Sequence, residues 1–390
     1  MDFAASTHRA RWIFDQDSLV AKREAAQQKA AESLKRSREP SPAAGGDDGA
    51  PQPDAKKPRA DVPVSAGEEA VLRRYFELRI RAVCEAYPLP PKVAATATAY
   101  FKRFYVQRSC LEHDPSRIMP TCIYVEEAYV GAEDFCKKLG LEPQSVLRTE
   151  VPLLQGLGFD LVVHSPYRAL AGLLQELEEL RAQRAPALDA ALLDAPADAV
   201  AKLSRGANKA VAAILQSDAP LLYPPGVLAL AALRSGARTA GVACGAFVEH
   251  AAARAAAERA AEAAAADAAA ESAAGAGPIP GGENPVPEHL RLGGSEADRV
   301  QQLLAWLGEI DACVVAAMKE EEGLEPRATE IDRTIKLWRK AAAAPLGGGG
   351  GGGAAAAVAA AAGGGGTAAG ALAGAAAVPA GAGAAGGGGE

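Results

Sequence analysis

Residue types that build catalytic and metal centres are scarce or scattered in this chain of 390 residues. It has five histidines, and its six cysteines form no CxxC pair, so the closely spaced ligands of a zinc or iron–sulfur site are missing. We therefore expect no metal and no cofactor, and interpret the cysteines as buried thiols in a reducing compartment. No nucleophile–base pattern and no phosphate-binding glycine loop stands out. The sequence disfavours an enzyme, and no catalytic residue is predicted.

Positive charge and long runs of large apolar residues are also limited. The formal net charge is −7, which provides no general attraction to nucleic acid or to an anionic membrane. The first residues contain no apolar run followed by a cleavage site, and the most apolar late segment consists of alanine and glycine. We expect no secretory signal, no membrane contact and no direct nucleic-acid contact.

Large apolar residues concentrate in two blocks, at about 65–235 and about 289–340, and these can bury a core. The alanine-rich run at 251–274 has strong helix propensity but little apolar bulk, so we interpret it as an exposed helical extension or a flexible insert. The predicted organisation is an N-terminal anchor and helix (1–34), a disordered basic, proline-rich linker (35–64), a first helical unit (65–164), a second unit (165–324) with an alanine-rich insert (about 251–288), a C-terminal helix (325–340) and a disordered Gly/Ala tail (341–390).

The N-terminal segment is predicted to dock on the rest of the chain through Trp12, Ile13 and Phe14. The helix that follows has too little apolar surface to be stable alone. Asp17 or Ser18 is expected to cap it. One side of it is marked by Leu19, Arg23, Ala26 and Ala30. In the linker beyond, KRSR at 35–38 and KKPR at 56–59 resemble a loose bipartite nuclear import signal, which favours the nucleus.

The stretch AYFKRFYVQRS at 99–109 combines aromatic and basic residues, as a groove for single-stranded nucleic acid does. Its apolar residues instead recur at helical intervals with those before it, at Val93, Ala97, Phe101 and Phe104. This spacing predicts a core helix. The bases Lys102, Arg103 and Arg108 fall largely off the stripe, and we expect them to form a solvated edge.

The two blocks read as two successive sets of helices, which predicts an all-α fold. Ser65 and Glu68 have the spacing of a capping box and open a helix with an apolar face at Leu72, Phe76, Ile80 and Val83. The phrases PPKVAATATAYFKR and PPGVLALAALRSGAR each place a double proline before a helix of small residues. They indicate an internal repeat, in which small residues let central helices approach closely.

Several distinctive phrases, in the correct order, resemble the cyclin family. TAYFKRFYVQRSCLEHDPSRIMPTCIY resembles the second and third helices of a first cyclin box, and VLRTEVPLLQGLGFDLVVHSPYRALAGLL resembles its fifth helix and the start of a second box. RARWIF, DAPLLYPPGVLALAALR and TEIDRTIKLWRK point to the H type, with a plant-like character. The resemblance implies two tandem five-helix cyclin boxes with N- and C-terminal docking helices.

The resemblance also implies a function. Cyclins have no catalytic residues and activate a cyclin-dependent kinase by binding it. The H type implies the kinase of the CDK-activating complex, a RING-finger assembly factor and the TFIIH core, and thereby phosphorylation of the RNA polymerase II tail and of other cyclin-dependent kinases. Two alternatives stay open: another transcriptional cyclin of the C, K, L or T type, and a TFIIB-like DNA-binding factor. The second would require a zinc ribbon and basic repeats, neither of which is visible.

The kinase-binding residues implied by the family lie on the third and fifth helices of the first box. Glu150 matches a fifth-helix glutamate that works with a third-helix lysine, and Leu154, Phe159 and Leu161 match apolar contacts around it. On the third helix the matching residues are Tyr124, Glu126 and Glu127.

Two departures from the family pattern affect this region. Four residues, including the interface lysine, are missing after Tyr124, which would shorten the helix by about one turn. Pro152 disfavours a helix interior but is tolerated in a first turn, so the fifth helix is expected to start near Thr149.

Overall fold

The computed structural model describes residues 3, 5–36, 64–87, 89–126, 131–272, 287–321 and 323–343. Within these residues the chain is all-α, as predicted, with one short 3₁₀ helix at Glu288–Leu290 and no β-strand. The α-helices are α1 Thr7–Trp12, α2 Gln16–Arg36, α3 Ala66–Ala86, α4 Pro91–Gln107, α5 Pro115–Glu126, α6 Ala132–Leu139, α7 Pro143–Gly156, α8 Pro166–Ala182, α9 Ala190–Leu193, α10 Ala197–Gln216, α11 Ala219–Leu222, α12 Pro225–Ala240, α13 Gly245–Ser272, α14 Glu296–Lys319 and α15 Leu324–Ala343. Most of the predicted linker and tail lies outside the described residues.

Local sequence signals set the starts of the main helices. The Ser65 hydroxyl accepts the Glu68 N–H, and the Glu68 carboxylate accepts the Ser65 N–H, so the predicted capping box opens α3. Pro91 and Pro225 occupy the first turns of α4 and α12, where their missing N–H is tolerated. The cap of α2 was predicted wrongly. Asp15 caps it, because its carboxylate accepts the backbone N–H and the hydroxyl of Ser18.

The first helical unit, α3 to α7, encloses its own core. The predicted faces of α3 and α4 are buried in it, with Phe101 and Phe104 fully inaccessible to solvent. Ala30 and Ala31 of α2, together with Ile331 and Ile335 of α15, complete this core. The last helix of the described chain therefore packs on the first unit.

The second helical unit, α8 to α14, forms the other core around the crossing of α10 and α12. A Cβ atom at Gly236 would lie 2.5 Å from the Ala207 nitrogen and 2.6 Å from the Leu203 oxygen, so these helices touch through backbone, as the small residues predicted. Trp12, Ile13, Phe14 and Leu19 join this core. The N-terminal segment is thus anchored in the second unit, while the far end of α2 packs on the first.

Helices α13 and α14 are the two helices of this unit whose sequences suggested a location outside the core. The start of the alanine-rich helix α13 is not an exposed extension, because Phe247, Val248 and Ala252 are buried in the core. Helix α14 is long and apolar enough to cross a membrane by length and composition alone. Its Trp306 and Leu307 are buried in the same core, whereas Val315 and Met318 near its end are exposed.

The bases of α4 were predicted wrongly, because Lys102 and Arg103 are 2% and 1% exposed. Lys102 Nζ lies 2.5 Å from a Glu77 carboxylate oxygen and 3.7 Å from one of Asp218, which precedes α11. A group that we call the inter-unit ion cluster contains four cations and four carboxylates: Arg23, Arg73, Arg74, Lys102, Glu69, Glu77, Asp218 and Glu321. It joins the first unit to the second.

Candidate protein-interaction surface

Helix α7 has one apolar face in the core and a second apolar face towards solvent. Val146 and Leu153 are buried in the first unit. Leu147 and Val151 are 41% and 57% exposed, and Leu154 is half-buried. Positions 147, 151 and 154 follow i, i+4, i+7 spacing, so they lie along one side of the helix. Monomeric proteins seldom expose a continuous apolar stripe without a binding role.

The start of α7 was predicted wrongly. The helix begins at Pro143 rather than near Thr149, so Pro152 lies inside it. A proline there removes one backbone hydrogen bond. The burial of Leu153 in this turn and of Leu157 directly after it supplies packing energy that offsets the loss.

The end of α7 places an aromatic side chain in solvent. The Phe159 N–H bonds the Leu154 carbonyl at 2.9 Å and the Gly158 N–H bonds the Gln155 carbonyl at 3.1 Å, which is a Schellman motif with Gly158 in the left-handed region. Phe159 is also left-handed, at φ 61°, and 66% exposed. A bulky residue in this conformation is strained. The turn therefore holds the Phe159 ring at the surface beside Leu154.

Side chains of α1 and α4 hold the segment after Phe159. One carboxylate oxygen of Asp160 accepts from Arg11 Nη1 at 2.9 Å and from Trp12 Nε1 at 3.1 Å. Arg103, whose guanidinium lies 5.3 Å from the Trp12 ring centroid, donates to the Asp160 carbonyl at 3.2 Å. Burial lowers the pKa of Arg103 to about 10, which leaves it charged at neutral pH. Helix α1 and helix α4 thus clamp the segment from both sides.

The same clamp continues over the next two residues, which face outwards. The Tyr100 hydroxyl donates to the Leu161 carbonyl at 2.8 Å. Leu161 and Val162 are 38% and 41% exposed. Their backbone is therefore fixed while their side chains remain available for a partner. We call the exposed and half-buried residues on this side of the unit the α7 surface: Leu147, Glu150, Val151, Leu154, Phe159, Leu161 and Val162.

The acidic candidates occupy different environments. The Glu150 carboxylate makes no ion pair or hydrogen bond with another residue in the described part of the chain, and it is half-buried. Glu126 Oε1 lies 3.3 Å from Lys92 Nζ, and its other oxygen lies 3.5 Å from the Tyr100 hydroxyl. Burial and then the Glu126 charge raise the pKa of Tyr100 above its ordinary value. Among the acidic candidates that the structure describes, Glu150 is therefore the carboxylate open to a partner.

The third-helix candidates contribute less to this surface. Helix α5 ends at Glu126, and the Tyr124 ring packs against Phe135 with centroids 5.6 Å apart. Glu127 lies outside the described residues. Glu150 and Leu154 lie on one side of α7, and backbone hydrogen bonds link Phe159 to Leu154 and Leu161 to Phe159, whereas Tyr124 is half-buried against its own unit.

The sequence reasoning missed three members of the α7 surface, Leu147, Val151 and Val162. The signal for the first two was present, because they share helical spacing with Leu154. It was masked by the second stripe of Val146 and Leu153, since spacing alone does not tell which of two apolar stripes is buried.

The described residues offer no cluster of reactive groups, and two of the cysteine thiols are deeply buried. No group of three or more His, Cys, Asp or Glu residues in the described ranges is arranged to hold a metal ion. Burial raises the pKa of the Cys110 and Cys122 thiols well above their ordinary value, so they stay protonated. What stands out chemically is an apolar surface with one open carboxylate.

This arrangement defines a helical protein-interaction module made of two packed units. A family model described as cyclin C-terminal domain matches residues 165–274. Cyclin-H1-1 of Arabidopsis thaliana is 37% identical over 254 residues, which cover 62% of this chain and 72% of that protein. Cyclin-H of Xenopus laevis is 34% identical over 188 residues, covering 45% of this chain and 54% of that protein.

A solved structure shares the fold. A chain from the CAK complex of Chaetomium thermophilum bound to ATP-gamma-S matches with a TM-score of 0.58 at 18% identity, covering 85% of this chain and 87% of its own. The chain belongs to the cyclin family, and within it is similar to the H-type cyclins.

Proposed function

We propose that this chain is a non-catalytic regulatory subunit that binds and activates a cyclin-dependent kinase within a CDK-activating kinase complex. The observation that carries the proposal is the α7 surface, which is apolar, exposed and fixed from behind by Asp160 and Arg103. Similarity to H-type cyclins, and to a chain of a complex whose name includes CAK, supports the kinase as the partner.

The proposed mechanism is a shift in the kinase's conformational equilibrium. A kinase is active when a glutamate on its regulatory helix pairs with the phosphate-binding lysine. A subunit that binds this arrangement more tightly than the inactive one raises its population by that difference in affinity. The fixed α7 surface suits this role, because little conformational freedom is lost on binding. Glu150 supplies a charge-assisted acceptor for kinase backbone donors.

The test is co-purification with the kinase and phosphorylation of a polymerase-tail peptide. Val151→Asp places a charge in the α7 surface, and we expect it to weaken kinase binding by about ten-fold or more, since a desolvated unpaired charge costs several kcal/mol. Val315→Asp is the matched control, because Val315 is also a helical valine, 50% exposed, on α14. It should leave binding unchanged. Equal binding by both variants would refute the proposed surface.

The missing lysine provides a second test of the same surface. The chain as it stands is expected to bind, because the apolar residues of the α7 surface supply most of the contact. Restoring Ala-Ala-Cys-Lys after Tyr124 is expected to tighten binding by giving Glu150 a cationic companion. Tighter binding should disappear when Glu150→Gln is added. If neither version binds the kinase, the proposed function fails.

The finer parts of the proposal concern organisation, assembly and location. We propose cyclin boxes at 65–164 and 165–324, association with a RING-finger assembly factor and the TFIIH core, and no direct contact with nucleic acid or membrane. The basic clusters at 35–38 and 56–59 support nuclear import. A fluorescent fusion lacking both clusters should lose nuclear accumulation, while co-purification with the RING-finger factor should be unaffected.

A further inference from the structure

A groove in the second unit is separate from the α7 surface. It lies between α8, α12, α13 and α14 and has a volume of about 690 Å³, which is within the usual range of ligand-binding clefts. Its floor is formed by the apolar residues Leu173, Leu230, Leu303 and Leu307. These belong to the second core, so the groove opens directly onto the interior of the unit.

Two glycines keep this groove open. Gly172 of α8 and Gly226 of α12 both line it, and a Cβ atom at either position would meet no atom within 4 Å. Glycine in a helix costs about 0.5–1 kcal/mol relative to alanine. Close packing does not require glycine at these two positions, in contrast to Gly236. A larger side chain at either position would project into the groove and reduce its volume.

The rim of the groove is acidic. Glu176, Glu179 and Glu258 line it with a single opposing cation, Arg254, which pairs with Glu176 and lies 3.7 Å from Glu258. Glu179 accepts a hydrogen bond from Gln175 at 2.9 Å, and no cation among the described residues pairs with it. The lining therefore has an excess of negative charge, which favours a cationic occupant.

The chain's own remaining segments do not match the groove. Residues 37–63 carry lysine and arginine, but their only large apolar residue is Val62. Residues 273–286 and 344–390 contain no lysine or arginine. None of these segments combines several large apolar side chains, which the leucine floor requires, with the lysines or arginines that the acidic rim favours. The occupant is thus expected to come from another polypeptide.

We propose that the groove of the second unit binds a segment of a partner protein that carries leucine-like side chains flanked by lysine or arginine. The leucine-like side chains occupy the floor, and the cations face Glu179 and Glu258, because Glu176 already pairs with Arg254. An amphipathic helix laid into an apolar groove is a common mode of peptide recognition, with anchors at i, i+3, i+4 and i+7.

The probe is a fluorescent synthetic peptide with leucines at those positions and lysines between them. Its matched control has glutamate in place of every lysine. Anisotropy with the full chain, alone and in its kinase complex, should show that the lysine peptide binds about ten-fold more tightly than the glutamate peptide. Equal affinity for the two peptides, or no binding of either, overturns the proposal.

Location in the groove is tested with paired tryptophan variants. Gly172→Trp fills the groove and should weaken peptide binding by about ten-fold, whereas Gly308→Trp should not, since Gly308 is an exposed glycine within α14 that does not line the groove. Both variants should still co-purify with the kinase, which separates this proposal from the proposed function. Peptide binding that is insensitive to Gly172→Trp overturns the location. Self-association of the chain that Gly172→Trp abolishes would show a second copy as the occupant and overturn the proposed partner.

Discussion

Replacing Lys102 by methionine tests whether the inter-unit ion cluster holds the two units together. Methionine resembles the aliphatic part of lysine but is one atom shorter, so the substitution removes the ammonium group and its charge at a site that is 2% exposed. Glu77 then loses the ammonium group 2.5 Å away, and Asp218 loses one at 3.7 Å. Each carboxylate still has one cation nearby, because Arg74 lies 3.9 Å from Glu77 and Arg23 pairs with Asp218.

The expected loss follows from this partial compensation. Removing one partner of a buried ion pair lowers the free energy of unfolding by about 3–5 kcal/mol. Because the nearby arginines still neutralise part of the carboxylate charge, we expect Lys102→Met to cost about 3 kcal/mol. Adding Glu77→Met removes the carboxylate that has lost its closest cation, so the double variant should recover about 2 kcal/mol relative to the sum of the single changes. Lys92→Met is the control, because Lys92 is 79% exposed in its pair with Glu126, and it should cost at most about 1 kcal/mol.

The assay is equilibrium unfolding in urea, followed by circular dichroism and by tryptophan fluorescence. The chain offers Trp12 and Trp306 in the second core and Trp338 in α15 as reporters. Coincident transitions are required for a single free energy of unfolding. A loss below about 1 kcal/mol for Lys102→Met, or no coupling with Glu77→Met, would refute the role assigned to the cluster.

Three further predictions concern stability. Burial and then the charges of Arg108 and Arg339 lower the pKa of His113 to about 4 from 6.5, so the folded state binds fewer protons than the unfolded state. The contribution of His113 to the free energy of unfolding is complete above about pH 6.5 and is lost as the pH falls towards 4. His113→Gln should therefore reduce the pH dependence of the free energy of unfolding, measured in urea, by up to about 1.4 kcal/mol per pH unit. Gly236→Ala should lower the free energy of unfolding by about 2–3 kcal/mol, since its Cβ would clash with backbone of α10. Pro152→Ala should raise it by about 1–3 kcal/mol, because α7 regains a backbone hydrogen bond.

Each of these three stability predictions has an outcome that would contradict it. An unchanged pH slope in His113→Gln would contradict the lowered pKa of His113. Gly308→Ala, in open space on α14, should be neutral or slightly stabilising, so equal losses there and at Gly236 would contradict a specific clash at the α10–α12 crossing. Thermal melts that leave Pro152→Ala unchanged or lower would mean that the packing of α7 depends on the proline ring.

The helical elements were largely predictable because they depend on local chemistry. The Ser65 capping box, the double prolines and the apolar stripe of α4 each follow from neighbouring residues, and each is confirmed. The resemblance to cyclins, confirmed by the comparisons, also rested on contiguous phrases such as those around Glu150. The candidate residues Leu154, Phe159 and Leu161 also come from a short run of sequence, and their role in kinase binding stays a prediction.

The misassigned features depend on contacts between distant segments. A lysine on a helix is normally solvated, and the sequence around Lys102 contains nothing that shows Asp218 approaching from the other unit. The start of α7 was misplaced for a related reason. Propensity counts the cost of Pro152 but not the burial of Leu153 and Leu157, which is a tertiary effect.

The sequence by itself determined that this protein is all-α, that it has two helical units, and which family it resembles, since helix periodicity and family phrases are local patterns. Only the tertiary structure decided which apolar stripe of α7 faces solvent and which bases become buried ion pairs. It also decided that the N-terminal segment joins the second core. These outcomes depend on the distance between residues far apart in the chain, and a linear pattern does not encode that distance.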